Sequence, residues 1–382
     1  MAATRERLSE RALTRALLAR QGLLEPHDAP LVDVVEAIGA IQAQAWAAPP
    51  VALWSRMRDF EAQDLIDALT ARDLVVGTLL RATLHLVSAR EHPAYHAVAE
   101  ASGATGWRRT KAPAGDDPDA LRRALLEHAA DTPRSGEEIA AFANAWVDAR
   151  PDAIADEEVE HQRTSAWRPL TRNSAFTRVP ADGTWGAKAP AALLAAPAAD
   201  APPSAEEALG AVIRCHLRAF GPAGPEDVAG WIGWRVPPVR DALEVLAPNL
   251  DAFEDDAGGV LYDLPGAPRP DPETPAPPRF LAAFDSALLA YPSGRRDRIM
   301  PDALRDLVYL RRNLQIRPSF LVDGRVAGIW AIEVRRREAT LTLTPGRRLA
   351  KPDRAALVAE GERLVRWSRP DAKGHHVVVE SA

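Results

Sequence analysis

The chain has 382 residues, enough for two or three domains with a substantial core, and its 47% hydrophobic and 26% charged residues exclude a disordered polypeptide. The formal net charge is −6, but residues 279–382 hold 20 Lys and Arg against 12 Asp and Glu. The acidic total therefore conceals a basic C-terminal part and does not exclude a nucleic-acid partner.

The first twenty residues are charged and amphipathic, without the uncharged apolar run of a signal peptide. No stretch has the length of uninterrupted apolar residues that a membrane-spanning helix needs, so a cytoplasmic location with no membrane partner is expected. The single cysteine, Cys215, rules out an internal disulfide and a cysteine-based zinc site, and it reads as a small buried hydrophobe.

In chain order, apolar periodicity predicts helices over 8–20, 30–40 and 62–71, followed by Leu79–Val87, whose second half reads as a strand. A helix-rich segment runs from Glu91 to Trp107. Helices are expected over 118–130 and over 136–148, the latter opening on a capping box of Ser135 and Glu138. A third helical stretch covers 154–171, and a hairpin of Phe176–Val179 with Thr184-Trp185 is expected around Asp182-Gly183.

Residues 189–203, rich in Ala and Pro, and 265–278, where 7 of 14 are proline, read as boundaries, the second as a stiff polyproline-like linker or an edge wrap. Between them a capping box of Ser204 and Glu207 opens a helix running to about Phe220. Two short helices follow, then Leu250–Glu254, a Gly258-Gly259 turn and Val260–Leu264. Three helices and a hairpin in sixty residues is the layout of a winged helix.

After residue 278 the pattern is β. Strands are predicted over 278–281, 319–322, 326–334, 339–344 and 376–379, with Asp323-Gly324 as a type I′ turn and a helix over 352–367. The expected class is therefore α+β: three tandem winged-helix units followed by a C-terminal β-rich, barrel-like domain. The segments are 1–110, 111–188, 204–264 and 279–382.

Several stretches in this order carry a resemblance. They are Leu8-Ser-x-Arg11, Ile38-Gly-Ala-Ile-Gln42-Ala-Gln44, Leu53-Trp-Ser-Arg56, Leu80-Arg81-Ala-Thr83-Leu-His85-Leu-Val87, Phe284-Asp285-Ser-Ala-Leu-Leu289, Leu321-Val-Asp-Gly-Arg-Val-Ala-Gly328 and Glu360-Gly-Glu-Arg-Leu364. Over nearly its whole length the chain resembles the bacterial winged-helix DNA glycosylases of the AlkZ-like class. The resemblance implies a monofunctional DNA glycosylase that excises bulky N7-alkylguanine adducts, or unhooks interstrand cross-links, formed by genotoxic natural products. It would leave an abasic site, in self-resistance or base excision repair. The implied partner is double-stranded DNA; a monomer with no obligate protein partner is expected.

The family's catalytic motif is Gln, an apolar residue, Gln, which falls here on Gln42 and Gln44. Side chains two apart in extended backbone point the same way, so two amide carbonyls can converge on one water. An amide is no base near neutral pH, but it can hold a water toward a target. That suffices when the leaving group is already activated. An N7-alkylated guanine is cationic, and its departure neutralises the charge, whereas ordinary glycoside hydrolysis recruits two carboxylates. From spacing alone, the two amides also read as a helix cap or a polar turn.

Candidate DNA contacts are Trp46, which could stack on an extruded group, Arg56, Arg81, Thr83, His85, and the cluster Arg295, Arg296 and Arg298. Arg311-Arg312 and Arg335–Arg337 are further arginine clusters. A structural histidine is the alternative for His85, and a solvated arginine for Arg81. The stretch Ser293–Arg298 departs from the simpler Asp-Arg-x-Arg of the family. No GxGxxG, Walker loop, HExxH or metal-ligand cluster occurs, and neither a cofactor nor a metal is expected. None of the four lysines lies near the motif, which disfavours a Schiff-base lyase step. The rival function is a non-catalytic winged-helix transcription regulator, which needs no glutamine pair.

Overall fold

The computed structural model describes residues 5–102, 119–165, 168–171, 174–186, 188–197 and 201–381. The expected continuation of a helix to Trp107, the boundary at 110/111, residue 118 at the start of the next helix and positions 166–167 lie outside them. The chain divides into two compact units, one of Met1–Ala62, Ile213–Trp231 and Arg235–Ala382, the other of Gln63–Val212 with Ile232–Trp234. Each draws on several of the four segments expected from sequence. Among the described residues no helix is long and apolar enough to cross a membrane.

In the second unit, helices Ala62–Thr70, His92–Ser102, Ala120–His128, Gly136–Asp148 and Asp156–Thr164 accompany a sheet. The capping box at Ser135 forms as expected, with Glu138 N donating to Ser135 Oγ at 3.1 Å and Ser135 N to Glu138 Oε2 at 2.7 Å. Strand Leu84–Ser88 pairs antiparallel with Leu74–Thr78, which meets Phe176–Val179 at Gly77 and Thr177. Phe176–Val179 pairs in turn with Ala192–Ala195. The hairpin with Thr184-Trp185 is therefore not formed. Ala192–Ala195, which reads from composition as linker, is the partner strand, because Leu193 packs beside the buried core of Leu121, Leu125, Ile139, Leu170 and Phe176. Alanine and leucine between prolines show no two-residue alternation, so burial decided this strand.

The capping box at Ser204, in the second unit, opens the helix Ala205–Phe220, whose residues from Ile213 on belong to the first unit. Helices Pro225–Ile232 and Val236–Leu246 follow, then an antiparallel pair, Asp251–Asp255 with Val260–Asp263. This is the element order predicted for residues 204–264. Arg7–Leu8 adds a parallel strand to the pair.

The C-terminal part is an open five-stranded sheet in the order Arg279–Leu281, Ser319–Val322, Arg325–Arg335, Glu338–Pro345, Gly374–Val379. The expected barrel-like closure is absent. Helix Lys351–Ser368 joins the last two strands in parallel, and its Leu357, Leu364 and Val365 cover the apolar face made by Phe280, Phe320, Trp330, Leu341 and Leu343. A helix thus shields the surface that a barrel would enclose. Asp323 (φ 49°) and Gly324 (φ 79°) form the predicted turn, and a Cβ on Gly324 would lie 2.5 Å from Leu18 Cδ1. The proline-rich segment is a strap rather than a free linker. The Arg15 Nε donates to Thr274 O at 2.6 Å, and Arg20 Nε donates to Pro268 O at 3.3 Å.

Candidate active site

The Gln42 segment belongs to the first unit. Helix Leu31–Ile38 buries Val34, Val35 and Ile38 and stops at Gly39, whose φ of 79° suits a residue without Cβ. A Cβ there would also come within 3.1 Å of Ala219 and 3.2 Å of Phe220. A two-residue strand, Ile41–Gln42, follows, then a bend and a turn into helix Ala48–Trp54, which carries proline in its first turn. Gln42 is buried at 6% exposure, Gln44 is exposed and Trp46 is half-buried. The paired strand ends at Gln42, and Gln44 lies in the bend. The motif runs from interior to surface.

Three carbonyls just before Gln42 are held by side chains. Arg218 donates to Glu36 O through Nε at 2.9 Å and Nη2 at 2.6 Å. The Gln21 Nε2 donates to Ile38 O at 2.9 Å and to Ala219 O at 3.0 Å, and Ser286 Oγ donates to Ala40 O at 3.0 Å. Glu36 and Ile38 lie in the last turn of helix Leu31–Ile38, whose carbonyls lack partners within it, and Ala40 lies just beyond its end. Gln21 is itself fixed, because its Oε1 accepts from Arg56 Nε at 3.2 Å. Arg56 is 1% exposed and forks onto Asp285, with Nη1 to Oδ2 at 3.0 Å and Nη2 to Oδ1 at 2.6 Å; its Nη1 also donates to Ala52 O. Arg56, expected as a DNA contact, is thus buried with four of its five N–H donors engaged inside the protein.

In the cluster Arg295, Arg296 and Arg298, also expected as DNA contacts, Arg295 and Arg296 are half-buried and Arg298 is buried. Arg295 pairs with Asp227 at 3.2 Å and Asp255 at 2.8 Å, Arg296 Nε donates to Tyr291 O at 3.0 Å, and Arg298 is buried with its guanidinium over the Tyr291 ring. Burial pushes the Asp227 carboxyl up and the Arg296 guanidinium down. Buried aspartates compete for these arginines more effectively than solvent does. The clusters that face solvent are Arg311-Arg312 and Arg335–Arg337. The first lies in an unpredicted hairpin, Tyr309-Leu310 with Gln315-Ile316, too short to show a strand period. The second contains a turn in which Arg336 (φ 52°) and Arg337 (φ 69°) both occupy the left-handed region usually given to Asn or Gly.

The second unit holds Arg81, Thr83 and His85. Arg81 and Ala82 take φ of 53° and 55° in the connection between strands Leu74–Thr78 and Leu84–Ser88, and Arg81 packs on Gly233, where a Cβ would meet its Cγ at 2.9 Å. Thr83 Oγ1 donates to Leu80 O at 3.1 Å. His85 is 1% exposed; its Nδ1 bonds Thr83 O at 3.0 Å, and burial, with Arg81 adding to it, lowers its pKa to about 3. It is a neutral, buried imidazole, which supports the structural alternative over a phosphate contact. His92 and His96 stack in the same unit, both lowered to about 4 by burial, and His96 bonds Ser174 Oγ at 2.6 Å and Arg122 Nη2 at 2.9 Å. Among the described residues no group of three or more His, Cys, Asp or Glu could hold a metal ion.

Sequence reasoning missed the roles of Gln21, Asp285 and Ser286. Their one local signal is a glutamine and an aspartate embedded in apolar runs, where a buried polar group must find a partner.

No curated protein matches the chain by sequence. The solved structure of Streptomyces sahachiroi DNA glycosylase AlkZ superposes with a TM-score of 0.77 at 20% identity, covering 98% of this chain and all of that one. The model of the family described as DNA glycosylase AlkZ-like matches residues 35–367, most of the chain and all of the segment around Gln42. The chain belongs to the AlkZ-like DNA glycosylase family.

Proposed function

We propose that this glycosylase hydrolyses the N-glycosidic bond of N7-alkylguanine in duplex DNA, with Gln42 and Gln44 orienting the attacking water. The water oxygen bonds the anomeric carbon and loses a proton to solvent, and the carbon–N9 bond breaks. The base leaves as neutral N7-alkylguanine, and an abasic site remains. The observation that carries this reading is a pair of amides on a firmly held segment, one buried and one exposed. Amides fit a substrate that arrives already cationic; their dipoles also stabilise the oxocarbenium-like sugar. Trp46, half-buried beside them, offers a ring face for an aromatic adduct.

The helix–helix–helix–hairpin order of residues 205–263 supports a winged helix there, the third of the three tandem units proposed for the chain. We assign phosphate contacts to the exposed clusters Arg311-Arg312 and Arg335–Arg337; left-handed arginines at a turn tip, where glycine is easier, accord with a functional demand on those side chains. Family membership sets aside the regulator alternative.

The test is incubation with duplex DNA bearing a defined bulky N7-guanine adduct, in monoadduct and cross-linked forms, scoring free base and alkali-labile strands. Release that disappears in the Gln42→Ala, Gln44→Ala double variant supports the mechanism. Unchanged release in that variant removes it.

A further inference from the structure

We infer that Ser286, Asp285, Arg56 and Gln21 are positioning residues that clamp the backbone presenting Gln42; this rests on the catalytic reading of that glutamine. The bonds form a closed ring. Asp285 Oδ1 accepts from Ala287 N at 3.0 Å, capping the short helix Ser286–Leu289 and setting the place of Ser286, which reaches Ala40 O. The same carboxylate holds Arg56, Arg56 holds Gln21, and Gln21 returns to Ile38 O. The carbonyls on the two sides of Gly39 are thus gripped by opposite ends of one network.

Each member is prevented from turning. The Gln21 amide cannot flip without facing its oxygen to the carbonyls of Ile38 and Ala219 and its NH2 to the Arg56 guanidinium. Arg56 cannot swing away without leaving a buried carboxylate unpaired. A helix end needs its carbonyls satisfied, but separate caps would do that. A ring that closes over Ile38–Ala40, two residues before Gln42, also removes freedom from a glycine exit that is otherwise the most pliable point of the segment.

Ser286→Ala cuts one bond of the ring and removes one oxygen. With duplex DNA containing N7-methylguanine at saturating enzyme, the single-turnover rate should fall about ten- to a hundred-fold while the DNA dissociation constant stays unchanged. Ser286→Thr, which keeps the hydroxyl, should restore most of the rate. An unchanged rate in Ser286→Ala, or a loss that only tracks weaker binding or a smaller folded fraction, overturns the inference. Should Ser286→Ala not fold, Gln21→Met opens the ring on its other side and is judged in the same way.

Should the wild-type protein release no base from any N7-alkylguanine duplex, the catalytic reading fails, and the clamp is judged by hydrogen exchange alone. Faster exchange of the amides of residues 41–46 in Ser286→Ala, with the rest of the protein unaltered, upholds it. Unaltered exchange there overturns it.

Discussion

The two units handle buried polarity in opposite ways. The first buries full charges in pairs: Arg20 with Asp263, Arg56 with Asp285, and Arg295 and Arg298 with Asp227. The second buries histidines and keeps them neutral, with His85 lowered to about 3 and His92 and His96 to about 4. In the first unit burial likewise lowers His216, to about 4, and His27. Paired charges fix direction strongly, because each donor has one acceptable partner and removing it strands the other charge. Neutral imidazoles fix shape at lower desolvation cost but leave the unit open to acid. The unit that carries Gln42 is the one tied with forked arginines.

Acid should separate the units first. A histidine depressed in the fold stays neutral there while the unfolded chain takes up a proton below about 6.5. The stability it supports is complete above that pH and is lost as pH falls toward the folded value. For each of His92 and His96 the loss reaches roughly 3 kcal/mol near pH 4. Hydrogen exchange followed by mass spectrometry from pH 7 to 4 should therefore show the second unit losing protection ahead of the first. Equal loss in both would break the contrast.

Arg20→Met attacks the other unit. It strands Asp263 with only Arg269 and should lower stability by about 3–5 kcal/mol in denaturant titration, whereas Arg20→Met with Asp263→Leu recovers much of it. A double variant no better than the single would mean the pair contributes more than mutual neutralisation.

On activity, Gln42→Ala with Gln44→Ala should slow base release about 10²–10³-fold with little change in melting temperature. The smallest effect is electrostatic. Arg311→Ala with Arg312→Ala should weaken DNA binding, and the slope of log K against log salt should become shallower by about 1.8 for two lost phosphate contacts. An unchanged slope would assign those arginines to solvent.

The legible parts were those whose physics is local. Helices Gly136–Asp148, Ala205–Phe220 and Lys351–Ser368, the Asp323-Gly324 turn and the C-terminal strands follow from caps, periodicity and turn chemistry written within a few residues. The strand Ala192–Ala195 and the hairpin 309–316 were hidden, one lacking alternation and the other too short for it. Within the site, the amide pair was visible as a pattern, but its course from buried Gln42 to exposed Gln44 was not.

The sequence by itself determined the α+β class, the order of most elements and the presence of a glutamine pair at positions 42 and 44. Only the tertiary structure decided which arginines are available. Arg56 and Arg298 look like surface cations in the chain, yet Asp285 and Asp227, distant in sequence, draw them inside. The sheet likewise stays open because helix Lys351–Ser368 returns to cover it. The reason is common to both cases. A charge or an apolar face must find a partner, and its spacing along the chain does not say whether that partner is water, DNA or another part of the protein.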